Sequence, residues 1–158
     1  MNKINKPLVI VANGEFPENR IPLEILNNAK YIISCDGATD KLIKSGYNPN
    51  IIIGDLDSIS SLNKEKYRDI TLKVSNQSEN DLRKAINYAK ENNINELSII
   101  GATGGRDDHS IGNIFSLFKY PEIYIKIFTD NGLFRLINNS KELKSFQGQK
   151  VSIFTTDN

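Results

Sequence analysis

Four short apolar runs recur along the chain, and each stops at a polar or glycine-rich tip. Leu8-Val9-Ile10-Val11-Ala12 ends at Asn13-Gly14, and Tyr31-Ile32-Ile33-Ser34 ends at Cys35-Asp36-Gly37. Ile51-Ile52-Ile53 runs into Gly54-Asp55-Leu56-Asp57, and Leu97-Ser98-Ile99-Ile100 into residues 101–109. Such runs, rich in β-branched residues and bounded by turn formers, predict strands buried on both faces, as in the middle of a parallel sheet. The stretches between them carry helical signals. Helices are expected over residues 22–29 and 38–45, the second stopped by Gly46 with Pro49 just beyond. Leu82, Ala85, Ile86 and Ala89 fall at helical spacing behind Ser78-Glu79-Asn80-Asp81, and Ile111, Ile114, Phe115 and Phe118 form the apolar stripe of a further helix. Residues 70–74 alternate as a strand does, while residues 59–66 read as loop or weak helix. Strands alternating with helices imply an α/β fold with a doubly wound, mostly parallel, Rossmann-like sheet and right-handed crossovers.

After Pro121 the pattern changes. Ile123-Tyr124-Ile125-Lys126-Ile127-Phe128 and Leu133-Phe134-Arg135-Leu136-Ile137 flank Thr129-Asp130-Asn131-Gly132, which is a hairpin signal. Residues 149–155 look like one more strand, and the chain stops soon after it. This grammar is expected of an all-β second domain that is cut short.

Composition narrows the classes. With 158 residues the chain builds one real core. A net charge of +1 with no long basic run argues against a nucleic-acid partner or an anionic membrane surface. Cys35 is the only cysteine, so there is no intrachain disulfide and no cysteine cluster for zinc. The N-terminus lacks the apolar core of a signal peptide, and no apolar segment is long enough to span a bilayer. A cytoplasmic setting is expected.

Candidate chemistry lies just after the expected strands. Asp36, Asp55, Asp57, Asp81 and residues 101–109 would crowd into one crevice at the carboxyl edge of a doubly wound sheet. If residues 55–57 stay extended, Asp55 and Asp57 share a face while Leu56 turns back into the protein, and Gly54 leaves room for a ligand beside the backbone. Two like charges at the end of a buried strand cost stability without a partner. Hard oxygen donors without His or Cys favour Mg²⁺, which also binds phosphate oxygens. Gly104-Gly105 ahead of a helix can expose N–H groups to an anion, and Arg106 would add a bidentate phosphate contact. Neither G-x-x-x-x-G-K-[ST] nor G-x-G-x-x-G is present.

Structural explanations compete at several of these positions. Ser78 with Asp81 can form a capping box, Asp107 or Asp108 can be an N-cap, and Asp36 before Gly37 can be a turn residue. His109, the only histidine, reads more readily as a hydrogen-bonding structural group than as a catalyst, and Cys35 as a small buried apolar residue.

Taken in order, the motifs resemble the thiamine pyrophosphokinase family. The matching pieces are Ala12-Asn13-Gly14-Glu15 with Pro17, Cys35-Asp36-Gly37-Ala38 with Leu42, residues 49–58, Asn76-Gln77 followed by Asn80-Asp81-Leu82 with Lys84-Ala85, and residues 101–113. The resemblance implies an α/β nucleotide-binding catalytic domain over residues 1–121 and the first strands of a C-terminal β-sandwich over residues 122–158. It implies Mg²⁺-dependent transfer of pyrophosphate from ATP to the hydroxyl of thiamine, giving thiamine diphosphate and AMP, in a homodimer with active sites between subunits. Carried onto this chain, the catalytic set is Asp55, Asp57, Asp81, Arg106 and Asp108, with Asp55, Asp57 and Asp81 on the metal. Asp36, with Gly37 beside it, supports the metal or the nucleotide. Asn13, Gly104 and Gly105 go to the nucleotide, Arg106 and Asp108 to the phosphates or the thiamine end, and Gln77 to substrate. Ser78 replaces a frequent acidic residue of the family, and Asn80 a frequent Thr. Two rival readings are a nucleotide-sugar transferase built on Asp55 and Asp57, which leaves residues 101–113 unexplained, and a non-catalytic Mg²⁺-nucleotide-binding module.

Overall fold

The computed structural model describes residues 4–74, 78–138 and 142–155. Its strands are β1 (Leu8–Val11), β2 (Tyr31–Cys35), β3 (Ile51–Gly54), β4 (Thr71–Lys73), β5 (Glu96–Ile100), β6 (Tyr124–Phe128) and β7 (Leu133–Arg135). The helices are α1 (Arg20–Asn27), α2 (Thr39–Lys44), α3 (Ser61–Lys66), α4 (Asp81–Glu91) and α5 (Asp107–Phe115). One sheet takes all seven strands in the order β4-β3-β2-β1-β5-β6-β7, parallel except for the last pair. The apolar runs explain the central position of β1 and β2, whose every residue is buried. Ile10, Ile33, Ile52, Ile53, Ile99 and Ile127 are fully covered, each worth about 1.5–3 kcal/mol of hydrophobic transfer.

The chain builds outward from β1 to β4, then crosses back to place β5 on the other side of β1. This reversal makes a switch point between β1 and β5, and a crevice at its carboxyl edge is where such sheets bind ligands. The crossover runs through α4, whose Leu82, Ala85, Ile86 and Ala89 are buried against β1, β2 and β3.

Three local expectations change. The start of α4 is not a Ser78–Asp81 box: Asn80 is the N-cap, its side-chain oxygen accepting the Arg83 N–H at 3.0 Å. Neither Asp107 nor Asp108 caps α5, because Arg106 holds that position and both acids lie in the first turn. Residues 59–66, read as loop or weak helix, contain α3, capped by the Ser60 hydroxyl at 3.4 Å from the Asn63 N–H.

The hairpin after Pro121 forms, but it extends the α/β sheet. β6 pairs in parallel with β5, and β7 folds back on β6. Alternation marks a strand without naming its neighbour, and the parallel pairing of Leu97 with Ile125 and Ile99 with Ile127 is non-local. Residues 149–155, read as a strand, form none among the described residues and lie exposed.

Candidate active site

The acidic residues gather by a turn and not by strand alternation. β3 stops at Gly54, and Leu56 adopts a left-handed backbone with φ 69°, an uncommon conformation for a residue with a side chain. Burial against Ile52 and Ile59 holds it there, and the Lys64 ammonium donates to its carbonyl at 2.9 Å. The chain therefore reverses between Asp55 and Asp57. Carboxylate oxygens of Asp36, Asp55 and Asp57 come within 4.8 Å of one another.

Gly54 makes this closeness possible. A Cβ there would lie 2.4 Å from Cβ of Asp36 and 3.1 Å from Oδ2 of Asp81. The space expected for a ligand is thus taken by Asp36, which is fully buried. Asp36 accepts the N–H groups of Ser58 at 3.2 Å and Ile59 at 2.9 Å, so the residue that could have been a turn former organises the neighbouring loop. Burial pushes its carboxyl above the ordinary value, the two N–H bonds oppose this, and the charges of Asp81 and Asp55 add to it. Burial also acts upward on Asp55, but hydrogen bonding to Asp57, the charge of Lys84 and a hydrogen bond with Asp36 bring it below the ordinary carboxylate value.

Asp81, expected among the metal ligands, borders this group through Gly54 but is paired with Lys84, whose ammonium lies 2.8 Å from Oδ1. Lys84 is 6% exposed. A buried ammonium needs an anion, and the i, i+3 spacing of Asp81 and Lys84 on α4 was the signal for it.

The opposite lip of the crevice is built by the loops after β1 and β5. Gly14 N–H donates to the Gly101 carbonyl at 2.6 Å, and Glu15 N–H to that of Thr103 at 2.9 Å. Asn13 lies over Gly37, where a Cβ would come within 2.0 Å of its Nδ2. Gly104 and Gly105 both have positive φ, 84° and 73°, which lets the loop turn into α5 without side-chain strain. A Cβ on Gly104 would strike Glu15, while Gly105 faces open space. Asn113, given no role from the sequence, donates to the Ala102 carbonyl at 2.8 Å and accepts from Asn80 Nδ2 at 3.0 Å, tying the start of α4 and the last turn of α5 to this loop.

Arg106 and Asp108 form a two-pronged pair, Nη2 to Oδ2 at 2.6 Å and Nε to Oδ1 at 3.1 Å. Their side chains are 72% and 63% exposed, so water competes for both and their attraction is weak. His109 is exposed beside them. Cys35 is buried, and burial, with the charges of Asp81 and Asp36, pushes its thiol far up and leaves it inert. Gln77 lies outside the described residues. No helix among the described residues is long and apolar enough to cross a membrane.

A family model described as "Thiamin pyrophosphokinase, catalytic domain" matches residues 23–144. The chain is 30% identical to the thiamine pyrophosphokinase of Bacillus subtilis (strain 168), across 97% of this chain and 70% of that protein. It is 29% identical to thiamine pyrophosphokinase 1 of Arabidopsis thaliana, across 82% of this chain and 57% of that protein. The crystal structure of thiamin pyrophosphokinase from Geobacillus thermodenitrificans superposes with a TM-score of 0.64 at 26% identity, covering 77% of this chain and 58% of that one. The chain spans little more than half the length of the Arabidopsis and Geobacillus proteins. With the match running over most of its length, from within α1 to beyond β7, the chain belongs to the thiamin pyrophosphokinase catalytic-domain family.

Proposed function

We propose that this chain is the catalytic part of a Mg²⁺-dependent enzyme that transfers the pyrophosphoryl group of ATP to the hydroxyl of thiamine, releasing AMP. The observation that carries this reading is the convergence of Asp36, Asp55 and Asp57 at the carboxyl edge of the sheet, across the switch point from the glycine loop at α5. The donor set fits the metal. All three are hard carboxylates, and their mutual separation within 4.8 Å is compatible with an octahedral ion, whose opposite ligands stand about 4.2 Å apart.

In this reading Asp36, Asp55 and Asp57 hold Mg²⁺, and Asp81 supports them while Lys84 balances its charge. When bound, the ion would neutralise charge on the ATP phosphates during attack at the β-phosphorus. The N–H groups of the Gly104–Gly105 turn and the first turn of α5 attract phosphate oxygens, with Asn13 and Gly37 bordering the nucleotide. Arg106 exchanges its exposed Asp108 partner for a phosphate, which costs little because water already screens the pair. Gln77 is kept as a substrate contact. A cytoplasmic enzyme is consistent with this chemistry.

The thiamine end is completed in a homodimer. Supporting this, α5, whose start carries Asp108, leaves Ile111 58% and Phe115 55% exposed, with Phe118 beyond it 40% exposed. Three residues of the predicted stripe are thus exposed while Ile114 is half-buried, and a second copy covering them would bring another subunit beside the crevice. Sedimentation of the complete protein is expected to give a dimer that Phe115→Glu weakens, whereas a monomer at micromolar concentration contradicts this part of the reading.

The activity is tested by incubating the complete protein with thiamine, ATP and Mg²⁺. AMP and thiamine diphosphate are expected together. Formation of ADP, or the absence of thiamine-dependent AMP, defeats the proposal, and retained Mg²⁺-ATP binding without turnover would point to a non-catalytic module.

A further inference from the structure

Asp40 stands one helical turn after Asp36 and takes up the hydrogen-bonding pattern where Asp36 leaves it. Asp36 accepts the N–H groups of Ser58 and Ile59. Asp40 accepts the next one, Ser60 N–H, at 3.0 Å on Oδ2, and with Oδ1 it accepts the Ser60 hydroxyl at 2.9 Å and Asn63 Nδ2 at 2.6 Å. Three consecutive N–H groups, those of residues 58–60, are therefore held by two carboxylates from one side of the chain after β2. The segment they hold leads directly out of Asp55 and Asp57, whose backbone link, from Asp57 N–H to Asp55 Oδ1, is long at 3.5 Å. Leu56 reverses the chain there in a left-handed conformation, so the turn depends on anchors at its far end. Asp40 is not among the carboxylates that converge.

We propose that Asp40 is a positioning residue, which fixes residues 58–60 and so keeps the Asp55 and Asp57 carboxylates gathered for a divalent cation that it does not itself touch. This rests on the reading of Asp36, Asp55 and Asp57 as a cation site. An anchor that supports metal ligands changes affinity for the ion more than the chemistry once the ion is bound. Without Asp40, the turn samples other arrangements and must be ordered by the cation at the moment of binding.

The test uses the complete protein with Mn²⁺ alone as the probe, its free concentration read by electron paramagnetic resonance, together with steady-state kinetics. Asp40→Ala is expected to weaken Mn²⁺ binding roughly tenfold and to raise the Mg²⁺ concentration needed for half-maximal rate in proportion. The kcat at saturating Mg²⁺ stays within about twofold, since the residue acts through the ligands and not on the reaction. Asp40→Asn keeps an oxygen for the Ser60 hydroxyl and Asn63 but offers no acceptor to Ser60 N–H, so it falls between the parent and Asp40→Ala. Asn63→Ala removes only the bond to α3 and is expected to leave Mn²⁺ affinity within about twofold of the parent.

Unchanged Mn²⁺ affinity in Asp40→Ala, beside clear weakening in Asp57→Asn, overturns the role of Asp40 and leaves the cation site standing. Equal weakening by Asn63→Ala also overturns it, since the effect would then come from α3 in general. A fall in kcat at saturating Mg²⁺ would do the same. If Asp57→Asn binds Mn²⁺ as the parent does, the cation site itself is wrong and the positioning role falls with it.

Discussion

At the residue scale, the proposed metal site turns on Asp57. It is exposed, and besides the 3.5 Å contact to Asp55 its one hydrogen-bonding neighbour among the described contacts is the Ser58 hydroxyl at 2.9 Å. Asp57→Asn therefore removes a charge proposed to hold the metal without opening the core. It is expected to lower kcat by at least about a hundredfold while shifting stability by no more than about 0.5 kcal/mol. An unchanged kcat would take Asp57 out of the metal site. The identity of the acidic residues was legible because charges at the end of a β-branched run demand a reason. Their geometry was not, because strand alternation stops at Gly54 and the left-handed turn at Leu56 depends on burial against Ile52 and Ile59. Gly54 was read as leaving room for a ligand, and that space is filled by Asp36. Asp36 comes from the turn after β2, and the sequence around Gly54 carries no trace of that.

At the element scale, the buried strands and amphipathic α4 were plain in the pattern, since period and length separate them. Pairing was less so. β6 and β7 were read correctly as a hairpin, yet their partner β5 is fixed by a register no local rule supplies. The structure adds a fastening between distant elements. Asp130, in the turn between β6 and β7, accepts the N–H groups of Glu18 at 3.1 Å and Asn19 at 2.9 Å, while Asn19 Nδ2 donates to its carbonyl at 2.7 Å. Asn19 is the N-cap of α1 and makes no side-chain cap of its own. Asp130→Ala is expected to cost about 1–2 kcal/mol, read as a lower midpoint in urea with an unchanged slope. A midpoint equal to the parent's would mean that the turn and α1 are held together by packing alone.

At the scale of the whole molecule, the order β4-β3-β2-β1-β5-β6-β7 brings loops far apart in sequence to one edge. The acidic side of the crevice comes from β2, β3 and the start of α4. The glycine side comes from the loops after β1 and β5. A net charge of +1 conceals this division, because Asp36, Asp55, Asp57 and Asp81 are local to the cleft and the compensating cations are mostly dispersed, Lys84 excepted. Thiamine pyrophosphokinase activity follows from such a cleft only if both substrates meet in it, and phosphorus NMR of the complete protein with ATP, thiamine and Mg²⁺ examines that most directly. Thiamine-dependent loss of the ATP β-resonance is expected, with one AMP appearing for each new diphosphate ester. ADP together with a thiamine monophosphate ester would contradict it.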